Sequence, residues 1–269
     1  MKNFPKSNNR TAVILCGGKG SRLGLLGKKI PKSMVKIHNY PIIWYIINIL
    51  SQNSFNHLIL PIGYKGHLIE KYFKNNNSFK NFNLEIVRTG TDTSIAKRIF
   101  QIRKKIKSKN FLLLNGDAIF DFDVQKIFNK HESNKFDVTF VGCSERFKYG
   151  IITKKKNRII GFERDVEFNS INKKNNKNLI GYVYSGISIL NSELLKINFK
   201  NFSNFEKKFY PKIIKKNKSN FEQIDGFWHS IDNTKDIDNL NKKDDKAKYD
   251  RIDRIIKKMK KNEKQFLEK

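Results

Sequence analysis

Between Thr11 and Ile37 the chain reads TAVILCGGKGSRLGLLGKKIPKSMVKI, and this stretch limits what it can fold into more than any other. The apolar run Ala12 to Leu15 fits a buried strand, and it breaks at once into a loop carrying Gly17, Gly18 and Gly20, followed by Ser21 and Arg22. Glycines without Cβ let backbone N–H groups converge on an anion, and Arg22 and Lys32 stand close enough to neutralise phosphate charge. The order G-G-x-G-x-R is neither the dinucleotide-binding G-x-G-x-x-G nor a Walker A loop, which closes with G-K-[ST]. A plainer alternative is a glycine-rich corner with two solvated cations. Pro31-Lys32-Ser33-Met34 favours the phosphate reading, because it follows at a distance that lets one lysine reach back over the loop.

Downstream, strand and helix patterns alternate. Pro41 to Ser51 reads as a buried helix with proline in its first turn, His57 to Ile62 as a strand, His67 to Phe73 as a helix and Leu84 to Val87 as a strand. Ser94 is placed to cap a helix running to about Ile106. The alternation predicts an α/β fold with a central mixed, mostly parallel sheet flanked by helices, and such sheets bind ligands at the carboxyl ends of their strands. Phe111 to Asn115 is the clearest strand, and it ends in Gly116-Asp117, where a carboxylate could hold a metal ion. Asp121 and Asp123 suit turn and cap roles ahead of a helix at Val124.

From Asp137 the pattern turns strand-rich, marking a substrate-side subregion in which Glu163, Arg164, Ser185 and Gly186 are candidates to hold a sugar phosphate. A second strand end falls at Asp232, with Asn233-Thr234 opening a helix behind it, so Asp117 and Asp232 could share a magnesium ion across the cleft. The main domain is expected over 1–242. A charged helical tail over 243–269, with Ile252, Ile255, Ile256 and Met259 as an apolar stripe, would pack on the domain or on a partner.

The net charge of +30 invites a polyanion-binding, non-enzymatic reading, but lysine, asparagine, isoleucine and phenylalanine are abundant together, which points to chain-wide bias. Nothing resembles a base-reading module, so no nucleic-acid partner is expected. No stretch is apolar enough to span a membrane, the N-terminus lacks a signal-peptide core, and Cys16 and Cys143 form no disulfide pattern, which together predict a cytoplasmic protein. A homo-oligomer stays open.

The loop followed by P-K-S-M resembles the L-x-G-G-x-G-[ST]-R-L and P-K-x-M signature of the sugar-1-phosphate nucleotidyltransferases. Gly63-Tyr64-Lys65-Gly66, Lys71-Tyr72-Phe73, Thr89-Gly90 and Gly226-Phe227-Trp228 with Asp232 are most similar to the glucose-1-phosphate cytidylyltransferases. The resemblance covers roughly Ala12 to Leu240 and implies a Rossmann-like nucleotidyltransferase fold, with CTP and glucose 1-phosphate giving CDP-glucose and pyrophosphate for polysaccharide biosynthesis. Uridylyl or guanylyl transfer to another hexose or heptose 1-phosphate is the alternative. Carried across, the phosphate loop falls on Leu15, Gly17, Gly18, Gly20, Ser21 and Arg22, and the phosphate lysine on Lys32. The nucleotide contacts fall on Thr93, Arg98 and Gly116, and the magnesium ligands on Asp117 and Asp232; Arg22, Lys32 and Asp117 would be catalytic. Two departures stand out: Ile95-Ala96-Lys97 where the family has Thr-Gly-Gly, and Glu163-Arg164-Asp165 where many relatives have Glu-Lys-Pro.

Overall fold

The computed structural model describes residues 10–76, 79, 82–144, 151–155, 158–163, 181–199, 202–242 and 246–267. The first half runs β1 (Thr11–Leu15), α1 (Gly24–Lys29), β2 (Lys36–Ile37), β3 (Tyr40–Pro41), α2 (Ile42–Gln52), β4 (His57–Ile62), α3 (Gly66–Lys74), β5 (Asn83–Arg88), α4 (Ile95–Ile102) and β6 (Asn110–Asn115). It continues through β7 (Ala118–Asp121), α5 (Val124–Ser133), β8 (Val138–Cys143), β9 (Ile151–Lys155), β10 (Arg158–Glu163) and β11 (Val183–Asn191). Last come α6 (Phe205–Lys216), β12 (Ser219–Gln223), β13 (Phe227–Ser230), α7 (Thr234–Asn241) and α8 (Lys246–Leu267).

A seven-stranded sheet in the order β12-β8-β11-β6-β1-β4-β5 forms the middle layer. Strands β6, β1, β4 and β5 are parallel, β12 runs parallel to β8, and β11 is antiparallel to both its neighbours, which makes the sheet mixed. The strands feed two cores because side chains alternate across a sheet. Ala12, Ile14, Leu112 and Leu114 enter the core shared with α2, while Val13, Phe111 and Leu113 enter the one shared with α4 and α6. With both faces covered, β1 and β6 have no polar alternation to show, which is why each reads as an unbroken apolar run.

Helix α2 is buried from Ile42 to Leu50, as its apolar sequence requires. Helix α4 starts where Ser94 accepts a hydrogen bond from the Lys97 N–H, but it ends at Ile102, and a tighter turn over Arg103–Lys105 replaces the expected last turn. Asp123 caps α5 by accepting from the Lys126 N–H. Helix α8 lies on the domain itself, with Ile252, Ile255, Ile256 and Met259 buried in the same core as α2. No helix among the described residues is long and apolar enough to cross a membrane.

Candidate active site

At the carboxyl end of β1 the chain turns through Gly17 to Gly20, and Gly20 adopts a left-handed backbone (φ 61°) that a residue with a Cβ resists. The exit of β6 presses against this turn. The Gly116 N–H donates to the Leu15 carbonyl at 3.1 Å, and a Cβ at Gly116 would lie 2.9 Å from both that oxygen and Cys16 Sγ. Beside this contact, Asp117 leaves the strand end and β7 begins.

A two-stranded ribbon absent from the sequence reading brings the second carboxylate in. Strand β13 pairs antiparallel with β7, Ser230 opposite Ala118, and the Ile231 N–H donates to the Asp117 carbonyl at 2.9 Å. That register sets Asp232 next to Asp117. The Asp232 backbone is then fixed from behind, because its N–H donates to Asp236 Oδ2 at 2.7 Å within the capping box of α7.

Lys32 Nζ bridges the two carboxylates, 2.7 Å from Asp117 Oδ2 and 2.9 Å from Asp232 Oδ1. Arg22 adds a contact of 3.1 Å to the same Asp232 oxygen, and Ser230 Oγ donates to the other at 3.2 Å. Burial pushes the Asp232 carboxyl up, but the Lys32 hydrogen bond and the charges of Lys32 and Arg22 outweigh it and hold the group below its ordinary value. The two cations differ: the Lys32 side chain is 13% exposed and that of Arg22 is 74% exposed. Lys32 thus sits inside the acidic pair, whereas Arg22 reaches Asp232 from the solvent side.

These groups surround a cavity of about 200 Å³ lined by Leu15, Gly18, Gly20, Ser21, Arg22, Lys32, Gly116, Asp117 and Asp232. Cys16 and Ser33 also line it. Both were passed over in the sequence although they lie inside its two motifs, and motif membership was the signal available. Burial pushes the Cys16 thiol up to about 12, so it faces the cavity as a neutral group.

Other candidates lie elsewhere. Gly17, Thr93 and Arg98 do not line the cavity, and Arg98, expected to contact the nucleotide, is only 4% exposed and packs against Gly17. Thr93 Oγ1 donates to the Thr89 carbonyl at 2.6 Å. Ser185 and Gly186 form an irregularity in β11: Ser185 Oγ donates to the Val141 carbonyl at 2.7 Å, and Gly186 takes a φ of 78° against Asn115. Neither lines the cavity. Glu163 ends β10, and Arg164 lies outside the described residues.

Two carboxylates facing one cation are a hard oxygen donor pair that suits a divalent ion. Among the described residues no group of three or more His, Cys, Asp or Glu forms a complete metal cage. Magnesium fits such a partial set, since it is commonly held by one or two carboxylates, waters and substrate phosphates.

The family model described as nucleotidyl transferase matches residues 11–247. Among similar curated proteins, a D-glycero-alpha-D-manno-heptose 1-phosphate guanylyltransferase of Aneurinibacillus thermoaerophilus is 34% identical over 56% of this chain and 66% of its own length. The "Probable glucose-1-phosphate cytidylyltransferase" of Bacillus subtilis is 27% identical over 86% of this chain and 94% of its own. The mannose-1-phosphate guanyltransferase of Hypocrea jecorina is 28% identical, and the match spans 61% of that protein. In three dimensions the crystal structure of HddC from Yersinia pseudotuberculosis superposes with a TM-score of 0.62 at 21% identity, covering 84% of this chain and 96% of that one. The fold is therefore shared.

Proposed function

The chain belongs to the nucleotidyl transferase family, as a sugar-1-phosphate nucleotidyltransferase, and we propose that it joins CTP to glucose 1-phosphate, giving CDP-glucose and pyrophosphate. The observation that carries the chemistry is Lys32 held between Asp117 and Asp232 in the cavity that the glycine loop also lines. Similarity over nearly the full length of a cytidylyltransferase supports CTP and glucose 1-phosphate. A second reading, GTP with a heptose 1-phosphate, is favoured by the higher identity to the guanylyltransferase over a shorter stretch.

The attacking group is a phosphate oxygen of the sugar 1-phosphate, already ionised at neutral pH, so the site needs no general base. A bond forms from that oxygen to the α-phosphorus, and the bond from the α-phosphorus to the pyrophosphate oxygen breaks. What the protein supplies is in-line positioning and charge neutralisation. Loop N–H groups between Gly18 and Arg22 and the exposed Arg22 guanidinium hold the departing pyrophosphate. Lys32 holds the α-phosphate, exchanging one of its carboxylate partners for a phosphate oxygen as the triphosphate enters. Asp117 and Asp232 would hold magnesium, which neutralises phosphate charge when bound. On the acceptor side, Glu163, Arg164, Ser185 and Gly186 remain the proposed sugar-phosphate residues.

Pyrophosphate release measured with each of four nucleoside triphosphates against glucose, mannose and heptose 1-phosphates tests this reading. CTP with glucose 1-phosphate should give the highest kcat/KM, and EDTA should abolish it. Faster turnover of GTP with the heptose phosphate would replace the first reading with the second.

A further inference from the structure

Arg98 carries a full charge in a buried position and has no part in the mechanism above. Its Nη1 donates to the Ile62 carbonyl at 3.2 Å and to Thr89 Oγ1, and its Nη2 donates to the carbonyls of Gly17 at 2.9 Å and Thr91 at 3.2 Å. Ile62 is the last residue of β4, Gly17 lies just past β1, and Thr89 and Thr91 lie just past β5. One planar fork therefore ties together the carboxyl ends of three adjacent strands. Thr89 closes the set, since its hydroxyl also donates to the Ile62 carbonyl at 2.7 Å.

Two glycines are shaped around this guanidinium. A Cβ on Gly17 would sit 2.2 Å from Arg98 Cζ, and one on Gly63 would sit 2.5 Å from Nη1. Gly17, which the signature assigns to the phosphate loop, thus turns its open side to an arginine and away from the cavity. Its carbonyl is the anchor. A second tie crosses the same gap at the surface, where Lys19 Nζ meets Asp92 Oδ1 at 2.6 Å.

We propose that Arg98 is a positioning residue that sets the glycine loop from behind, so that it serves the phosphates of every nucleoside triphosphate alike and reads no base. The geometry requires arginine specifically. Four acceptors shared between two nitrogens match the fork of a guanidinium, whereas an ammonium offers a point charge with three donors on a flexible stem. Because the fork's partners are carbonyls and a hydroxyl, its positive charge stays available beneath the loop, where a triphosphate would sit. This inference rests on the loop being a triphosphate cradle, as read above.

The test pairs kinetics with amide hydrogen exchange on Arg98→Lys, Thr89→Val and Thr89→Ser. In Arg98→Lys, kcat/KM should fall by about tenfold, the factor equivalent to 1.4 kcal/mol, for every triphosphate tested. The loss should appear mainly in the triphosphate KM, with the ratio between CTP and the other triphosphates unchanged. Exchange should accelerate in residues 15–23 and 89–94 and stay at the wild-type rate in β6, β8 and β11. Thr89→Val should reproduce that local pattern, and Thr89→Ser, which keeps the hydroxyl, should retain the wild-type one. A loss confined to one base would overturn the proposal by making Arg98 a base contact, and exchange raised throughout the chain would reduce it to general stability. If the wild-type protein releases no pyrophosphate with any triphosphate, the functional reading fails by itself, and the exchange pattern still decides whether the strut exists.

Discussion

The two ends of β6 hold polar groups by opposite means. At the amino end, Asn110 Oδ1 accepts from His131 Nε2 at 3.3 Å, and Thr139 Oγ1 donates to His131 Nδ1 at 2.9 Å, with all three residues buried. Each ring nitrogen has one neutral partner, so the imidazole is satisfied without a proton, and burial pushes its pKa down to about 4. At the carboxyl end, Asp117, Asp232, Lys32 and Arg22 neutralise one another as ions and keep part of their surface in water. A closed neutral cluster can only stabilise. An open ionic one can trade partners, and that lets an incoming phosphate compete for Lys32.

The comparison breaks most visibly at Lys32. Lys32→Met should lower kcat by about 10²- to 10³-fold, the range for removing one preorganised charge donor, with a smaller fall in the urea midpoint from the two carboxylates left facing each other. A retained kcat would mean that the ionic end does not act on the reaction. The converse change is at the other end: Asn110→Ala leaves a buried imidazole N–H unpaired, which should cost about 1 to 3 kcal/mol of stability with kcat preserved. Urea titration and pyrophosphate release on the same sample read both.

A pH series sharpens the contrast further. The pKa of His131 is lower folded than unfolded, so its contribution is complete above the ordinary value of 6.5 and is lost as pH falls toward about 4, the Asp137 charge opposing the shift. The His131 ring resonances followed by NMR should show no protonation at pH 5.5, and protonation there would refute the neutral cluster. The smallest effect belongs to Asp232. Its depressed pKa stabilises the fold above its ordinary value of 3.8 and ceases to do so as pH falls through the lower folded value. In Lys32→Met that acid limb should move upward in pH.

Much of this was legible in the sequence because it is written locally. The buried strand, the glycine turn, the lysine after proline and the aspartates at strand ends are each short patterns, and the structure brings Arg22, Lys32, Asp117 and Asp232 to one cavity. The β7–β13 ribbon was not legible, since four-residue strands from distant parts of the chain reveal themselves only by pairing. Arg98 was read as a nucleotide contact on the resemblance, but it is buried and does not line the cavity, a placement that runs against the usual position of charge on the wet face of a helix. Its position carried a quieter signal, for Ala96, Ile99 and Ile102 share its buried side while Ile95 faces outward.

The burial of α8 against α2 also has a temporal meaning. His38, beside α2, donates its N–H to the Asn241 side chain across 203 positions, and the apolar residues of α8 lie further on still. At about 5 to 20 residues per second, a ribosome that has released α2 needs roughly 10 to 40 seconds more before the covering helix emerges. Through that interval the part of α2 that α8 covers stands bare, and a chain stalled at residue 242 should be held by whatever cellular factors shield sticky nascent segments.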